Sequence, residues 1–417
     1  MRLLAFCKRL SIGRKENSPL PSKEDNWIIR EKVNIAILIP TLGGGGAERV
    51  ASAIGNFLQV QGNNVYFFLS RETKNNKYNV MGEIVNIDID LDTSFPNEII
   101  NIIFASHKVK KLKKKYNIDV SISFMEMFNY INIMSKCGDK VYVRVCTVLS
   151  KREDKKKEFI CNKYLIKHMY SQANCIIVMT KYAKEDLINY YNLNPKSIRI
   201  IPNPVISDYQ NEKEDQWEYG TNTIICVGRL EEVKQFNVAI RVFKHIHMQK
   251  ADTKLIILGE GSLKNRMKNM IKKLCLQDCV FMLGFKRNVY HYFDNSRVCI
   301  VTSKVEGFHI ASIEAMSRGT PVVSLNCPGG PCEIIGGNPN ENNKVQRCKY
   351  GVLTPYIDNN SWDTEEKNWQ EIIMAEEILN ILKNGNLYDK YKENSLLRAQ
   401  KFDFESIVKK WENIIKK

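Results

Sequence analysis

The sequence predicts an α/β protein built from two halves, each a doubly wound parallel sheet. Three observations carry the prediction. Short, almost wholly apolar runs alternate with stretches of helical spacing along most of the chain, which requires crossover connections and parallel strands buried on both faces. The alternation breaks once, near the middle, at a polar stretch that contains prolines. The 417 residues also exceed what one hydrophobic core usually supports, at about 100 to 200 residues per domain.

Residues 1–32 carry basic side chains, two prolines and no clear periodicity, so they read as an extension before a first domain at 33–204. Its opening strand is Val33 to Pro40 (VNIAILIP). A glycine run follows, then AERVASAIGNFLQVQG, which has helical apolar spacing and stops at Gly62. Strands at Val65 to Ser70 and Val85 to Ile89, a helix near Glu98 to Tyr116, and strands at Val120 to Phe124, Val141 to Cys146 and Cys175 to Met179 continue the pattern. Two prolines in Ile200 to Val205 (IIPNPV) stop any regular element, and the residues up to Thr221 are polar and acidic. The linker is expected here, followed by a second domain at 205–400. Its strands read as Thr223 to Val227, Leu255 to Leu258, Val280 to Leu283, Val298 to Thr302 and Val322 to Leu325. In the final segment, 401–417, a helix from about Phe404 to Lys416 gathers Ile407, Trp411, Ile414 and Ile415 on one stripe that must pack on something.

Hydrophobic residues at 44% and charged residues at 26% exclude a disordered or fibrous chain. A formal charge of +16 suits a nucleic acid, an anionic membrane surface or a phosphorylated substrate, and composition does not choose among them. The 12 cysteines lack the spacing of a disulfide or zinc framework; Cys275 and Cys279 have no second pair to complete a site, so reduced, cytosolic thiols are expected. No apolar run approaches the roughly 18 residues of a membrane span, and the apolar stretch near the N-terminus is shorter than the roughly 7 to 15 of a signal peptide. The expectation is a protein neither secreted nor membrane-spanning.

Ligands of open α/β sheets bind beyond the carboxyl ends of the strands, and five loops there are distinctive. TLGGGGA, Thr41 to Ala47, leads into Glu48 and Arg49; its glycines permit close backbone approach to a ligand or form a flexible turn, and it fits neither GxGxxG nor a P-loop. GRLEEVKQF, from Gly228, offers Arg229 and Lys234 as a fork and an ammonium for a diphosphate, or as solvated surface charge. GEGSL from Gly259 and GFKRN from Gly284 follow two more strands. The fifth stretch, from Val301, contains EGFHIASIEAM and GTPVV: Glu306 precedes a helix starting near His309 and Glu314 lies inside it. The helix N-terminus provides N–H donors for phosphate, and two carboxylates flanking it can hold hydroxyls at either end of a nucleotide sugar.

Together, GGGGAERV, GRLEEVK, LGEGSLK, LGF and EGFHIASIEAM with GTPVV resemble the retaining GT-B glycosyltransferases of the family 4 type, in order from about Val33 to the C-terminus. That resemblance implies two Rossmann-like domains facing across a cleft, the donor held mainly by the second and the acceptor mainly by the first. The last helix would cross back to the first domain. By the same resemblance, Arg229 and Lys234 match the pair that grips the donor diphosphate. Glu306 matches the EX7E residue at the donor sugar, and Glu314 the one at the ribose. Gly307, Phe308 and His309 would approach sugar and phosphates, Phe285, Lys286 and Arg287 would face the base, and Gly45 and Gly46 would close on the phosphate. Gly228 and Gly259 belong to the donor loops. His309 stands where the family more often has a small residue, and either contacts the donor or points away.

The implied reaction is metal-independent transfer with retention from a nucleotide sugar, UDP-linked by expectation and carrying a hexose or N-acetylhexosamine, to a saccharide or polyprenyl-diphosphate-linked acceptor in cell-surface glycan synthesis. No cofactor is implied. Arg229, Lys234 and Glu306 would carry the chemistry. Glu126 and Asn129, which open a helix after a strand of the first domain, are candidates for the acceptor side; an aromatic, Met-rich patch there is otherwise core. Asp88, Asp90 and Asp92 form a DxD-like alternation that can hold a metal in another glycosyltransferase architecture, or simply end a strand with one solvated face. Competing readings are a UDP-sugar epimerase-like or sucrose- or glycogen-type synthase, and a non-catalytic anionic-surface binder. Basic residues cluster at 2–15, in Lys108, Lys110, Lys111, Lys113, Lys114 and Lys115, and at 151–157. They suggest an anionic membrane surface as partner rather than nucleic acid, and a peripheral location on the cytoplasmic face.

Overall fold

The computed structural model describes residues 32–70, 78–89, 97–152, 162–206, 216–358, 361–363 and 368–416. The chain from Val33 onward forms one compact unit that contains two sheets of seven strands each.

In the first half, β1 (Asn34–Ile39), β2 (Asn64–Leu69), β3 (Glu83–Asn86), β4 (Val120–Phe124), β5 (Lys140–Arg144), β6 (Cys175–Val178) and β7 (Ile198–Ile200) alternate with α1 (Gly46–Val60), α2 (Asn97–Lys115), α3 (Glu126–Met134), α4 (Lys163–Tyr170) and α5 (Lys181–Asn189). The strand order is β3-β2-β1-β4-β5-β6-β7, parallel throughout. The second half has β8 (Thr223–Val227), β9 (Lys254–Leu258), β10 (Val280–Gly284), β11 (Val298–Val301), β12 (Val322–Leu325), β13 (Gln346–Cys348) and β14 (Gly351–Thr354). Its helices are α6 (Phe236–Gln249), α7 (Lys264–Lys273), α8 (Tyr290–Asp294), α9 (Ile310–Ser317), α10 (Gly330–Ile335), α11 (Trp369–Lys383) and α12 (Gly385–Ala399). The order is β10-β9-β8-β11-β12-β14-β13, in which β13 alone runs antiparallel.

Both sheets are covered on both faces. Successive residues of β1 show why: Ile35, Ile37 and Ile39 join one apolar cluster and Ala36 and Leu38 the other, so the strand must be apolar at every position after Asn34. The chain order reverses direction between β1 and β4 and again between β8 and β11, so a crevice opens beyond the carboxyl ends of these strands. All the glycine-rich and glutamate-bearing loops noted above leave the sheets at this edge.

The last helix, α13 (Phe404–Ile415), lies on the first sheet. Trp411 is fully buried there, its ring stacked on Phe124 with centroids 6.4 Å apart. The Tyr142 hydroxyl donates to the Ile414 carbonyl at 2.7 Å, and Asp403 caps the helix through its side chain.

Short strands β7, β13 and β14 escape the sequence pattern, because three- or four-residue segments carry too few apolar residues to register as a run, whether at a sheet edge, as β7 and β13 are, or inside it, as β14 is. The lysine run of α2 needs a correction. Lys113 is not on the surface: its ammonium is fully buried and donates to Asp139, Ser121 and both the backbone and side-chain oxygens of Asn132 at 2.7–3.2 Å. It lies on the inward face with Ile102, Ala105 and Val109, whereas Lys108, Lys110, Lys111, Lys114 and Lys115 are exposed. Arg2, Lys8 and Arg9, the run 155–157, and Asp90 and Asp92 lie outside the described residues. Asp88 is described; it is exposed and faces Lys108 at 3.7 Å. None of the described cysteines is paired.

Candidate active site

One cleft of about 1940 Å³ runs between the two sheets and draws its walls from both. The first half contributes the loop after β1 with the start of α1, the residues after β4, and the end of β5. The second half contributes the loops after β8, β9, β10 and β11. Arg229, Lys234 and Glu306 line it, as do Gly45, Gly46, Gly228, Gly259, Phe285, Lys286, Arg287, Gly307, Phe308, His309 and Glu314.

The glycines have local reasons. At Gly259, with φ of +142°, an added Cβ would fall 1.8 Å from the Gly228 carbonyl oxygen, so the loops after β8 and β9 touch backbone to backbone. An added Cβ at Gly307 would meet the Cys146 carbonyl oxygen at 2.1 Å. This glycine lets the loop that carries Glu306 press on the end of β5, closing the back of the cleft.

Around Glu306 a compact charged cluster forms. The Lys234 ammonium donates to Glu306 Oε1 at 2.5 Å and the Ser303 hydroxyl donates to the same oxygen at 2.6 Å, all largely buried. Burial alone would raise the carboxyl; Lys234, His309 and these hydrogen bonds outweigh it and hold Glu306 below its usual range. The glutamate is therefore an anion at neutral pH.

His309 settles into a definite role. It is the N-cap of α9: its Nδ1 accepts from the Ser312 N–H at 3.2 Å, with the Ser312 hydroxyl at 2.8 Å. Burial lowers its pKa to about 4, only partly offset by Glu306, so the ring is neutral at neutral pH. A neutral ring that accepts at Nδ1 carries its proton on Nε2, which sits 4.0 Å from Glu306 Oε1.

Arg229 stands differently. Its side chain is 63% exposed and reaches Glu231 at 2.9 Å. Across the cleft lies Glu48, in the first turn of α1, folded over Gly45. Burial raises the Glu48 carboxyl, partly countered by its own backbone N–H and by the charge of Arg229. Glu314 is met by the neighbouring residue: Arg49 Nη1 approaches Glu314 Oε1 to 2.5 Å, with both side chains at most 9% exposed.

On the first-half side, Glu126 lines the cleft and pairs with Arg152 at 2.7 Å. Asn129 does not face the cleft. Its amide is fully buried, accepting from Ser123 and donating to the Arg144 carbonyl and the Tyr170 hydroxyl. The two residues share one side of α3, but at different depths: Glu126 opens the helix at the cleft, and Asn129, one turn further in, is enclosed by Ser123, the Arg144 carbonyl and Tyr170. Arg144, buried at the end of β5, sits beside the stacked rings of Phe124 and Trp411, 5.4 and 5.1 Å from their centroids, donates to Asn203 Oδ1 at 2.5 Å and also lines the cleft.

Arg49, Arg144, Arg152 and Ser303 are site residues that sequence reasoning did not assign. Arg49 had a signal, since it follows the glycine loop directly; Ser303 lies just before EGFHIASIEAM and Arg152 in the basic run 151–157, but neither position marks a site residue by itself, and Arg144 belongs to no distinctive motif. Among the described residues no cluster of three or more His, Cys, Asp or Glu has metal-ligand geometry.

Two family models match the chain consecutively: Glycosyltransferase Family 4 over residues 44–209 and Glycosyl transferases group 1 over residues 208–345. The N-acetylgalactosamine-N,N'-diacetylbacillosaminyl-diphospho-undecaprenol 4-alpha-N-acetylgalactosaminyltransferase of Campylobacter jejuni is 29% identical over 388 residues, which are 90% of this chain and 97% of that protein. Among solved structures, a sucrose-phosphate synthase from Thermosynechococcus elongatus superposes with a TM-score of 0.73 at 18% identity, covering 92% of this chain and 98% of that one. The Anabaena HepE structure in complex with UDP and glucose gives 0.69 at 15% identity, covering 92% and 99%.

Proposed function

Since the chain belongs to the GT-B glycosyltransferases of the family 4 type and acts in glycan biosynthesis, we propose that it transfers a hexose or N-acetylhexosamine from a UDP-sugar to a saccharide or polyprenyl-diphosphate-linked acceptor with retention at the anomeric carbon. The observation that carries this reading is the cluster of Lys234, Glu306 and neutral His309 at the N-terminus of α9, with Arg229 on the same wall of the cleft. It presents two cations and a helix end where a diphosphate leaves, and an ionised carboxylate where a sugar hydroxyl needs an acceptor. The Campylobacter relative, whose name specifies a diphospho-undecaprenol-linked substrate, supports the acceptor class.

In this reading the acceptor hydroxyl oxygen bonds to the anomeric carbon on the face from which the bond to the diphosphate oxygen breaks. The diphosphate keeps the bonding electron pair, and the hydroxyl proton passes to its departing oxygen. The chain supplies no nucleophile of its own. Arg229 and Lys234 stabilise charge on the diphosphate, Glu306 orients the sugar, and the cleft aligns donor and acceptor. His309 Nε2–H adds a neutral donor on the sugar side, and no metal or cofactor takes part.

Helix α2 supports the membrane-facing part of the proposal. Its outward face carries Ile100, Ile103 and Phe104, which are 41–65% exposed, followed by the exposed lysines of its C-terminal half. Lys108 touches Asp88, which lines the cleft. No described helix is long and apolar enough to cross a membrane. An anionic cytoplasmic leaflet seated on α2 would bring a lipid-linked acceptor to the first-half wall beside Glu126 and Arg152, and nucleic acid is not part of the reading.

A donor screen tests the proposal: release of nucleoside diphosphate from UDP-GlcNAc, UDP-GalNAc, UDP-Glc and UDP-Gal with a polyprenyl-diphosphate-linked saccharide. Turnover of a UDP-sugar is expected; turnover of GDP-sugars alone would overturn the UDP assignment.

A further inference from the structure

The contact between Arg49 and Glu314 joins the two halves of the molecule at a point where neither residue is merely a surface charge. Arg49 is on α1 of the first half and Glu314 on α9 of the second, and both are buried while Glu314 lines the cleft. Arg49 Nη2 also donates to the Ile206 carbonyl at 2.8 Å, and the Tyr290 hydroxyl of α8 donates to that same carbonyl at 2.6 Å. Ile206 lies in the connection between the two sheets, so one backbone oxygen gathers a group from each half. Next to Arg49, Gly46 packs against Ile310 so closely that an added Cβ would sit 3.0 Å from the Ile310 side chain. The start of α1 therefore rests directly on the helix that bears Glu314.

We propose that Arg49 is a positioning residue for the donor's nucleoside: it fixes the Glu314 carboxylate, ionised, for the vicinal hydroxyls of the ribose, so that ribose recognition depends on both halves of the molecule. The inference rests on the reading of Glu314 as the ribose-binding carboxylate. A carboxyl this deeply buried is driven toward its neutral form, and burial does raise Glu314. The titratable groups facing it are Arg49 from α1, Tyr290 from α8 and Cys299 from β11, and of these only Arg49 carries a positive charge. A neutral carboxyl can accept from one hydroxyl while donating elsewhere; an ionised one accepts from both.

The test measures binding of UDP and 2′,3′-dideoxy-UDP by calorimetry between pH 5 and 8 for the parent, Arg49→Lys, Arg49→Gln, Arg49→Met and Glu314→Gln, with thermal unfolding recorded for each. The parent is expected to favour UDP on the order of tenfold, as hydrogen bonds to a charged group contribute. Arg49→Met and Arg49→Gln should lose most of that preference, and the loss should extend to higher pH than in the parent because the Glu314 carboxyl is then protonated more readily. Arg49→Lys should restore much of it. Arg49→Gln keeps a donor for Ile206 without the charge, so it reports on positioning even if Arg49→Met folds poorly. An unchanged preference and pH dependence in Arg49→Gln would overturn the inference, as would an equal weakening of both nucleotides. If Glu314→Gln loses the preference while Arg49→Gln retains it, only the role of Arg49 falls. If the parent shows no preference, the ribose reading of Glu314 falls with it.

Discussion

Arg229 and Lys234 differ in their surroundings although they stand only five positions apart in one loop. Lys234 is committed to Glu306, whereas Arg229 is mostly exposed and faces Glu48 across the cleft. Arg229→Ala should therefore fold normally and lose roughly 2 kcal/mol or more of transition-state stabilisation, a fall of about thirtyfold in kcat at saturating donor. Unchanged turnover would remove Arg229 from the mechanism. His309 makes a different prediction. Its folded pKa of about 4 lies below the usual value of 6.5, so the unfolded chain binds this proton first as pH falls. Its contribution to stability is complete above pH 6.5 and is lost progressively between pH 6.5 and 4. His309→Asn should flatten the loss of stability over that interval by up to one proton per molecule; a parallel pH dependence would show that His309 is not buried neutral. Both arguments depend on partners that the sequence does not display. The EX7E spacing and the lysine were legible, but that Ser303 would join them on one carboxylate, or that His309 would cap α9 instead of pointing away, depends on loop geometry.

At the scale of one helix, α2 separates two kinds of lysine that look alike in the run KVKKLKKK. Lys113→Ala removes the partner of buried Asp139 and should cost about 3–5 kcal/mol in urea unfolding, while leaving the outward face unaltered. Replacing Lys111 and Lys114 by Glu should leave stability within about 0.5 kcal/mol and abolish sedimentation with phosphatidylserine vesicles at low salt; binding equal to the parent's would remove α2 from the membrane-facing surface. Replacing Phe104 by Ser should weaken binding to the same vesicles even at low salt. The helical period explains the split, since Ile102, Val109 and Lys113 share a face that Ile100, Phe104 and Lys111 do not. Period alone does not reveal a buried cation, because a lysine on the inward face is distinguished only by the Asp139, Ser121 and Asn132 that come to meet it from distant segments. The same limit applies to α13: its apolar stripe was legible and the family resemblance pointed it to the first half, but the stripe itself names no partner, and the contact is Trp411 lying on Phe124. Asn129 shows the opposite failure, a polar residue beside a site loop that turned out to be core.

For the molecule as a whole, the two-sheet architecture follows from apolar runs and one proline break, features that physics ties tightly to parallel strands. The ends of the cleft depend on long-range encounters, such as Gly307 against Cys146 and Arg49 against Glu314, that no local pattern encodes. These contacts cross from one sheet to the other and link donor recognition to the approach of the first half. In the proposed reaction this cleft transfers a sugar from a UDP donor with retention. Proton NMR of the newly formed glycosidic linkage, recorded during turnover of a UDP-α-sugar on a polyprenyl-diphosphate-linked saccharide, tests it directly. The small anomeric coupling of an α-linked gluco- or galacto-configured product is the predicted result, and a β-linked product would contradict it.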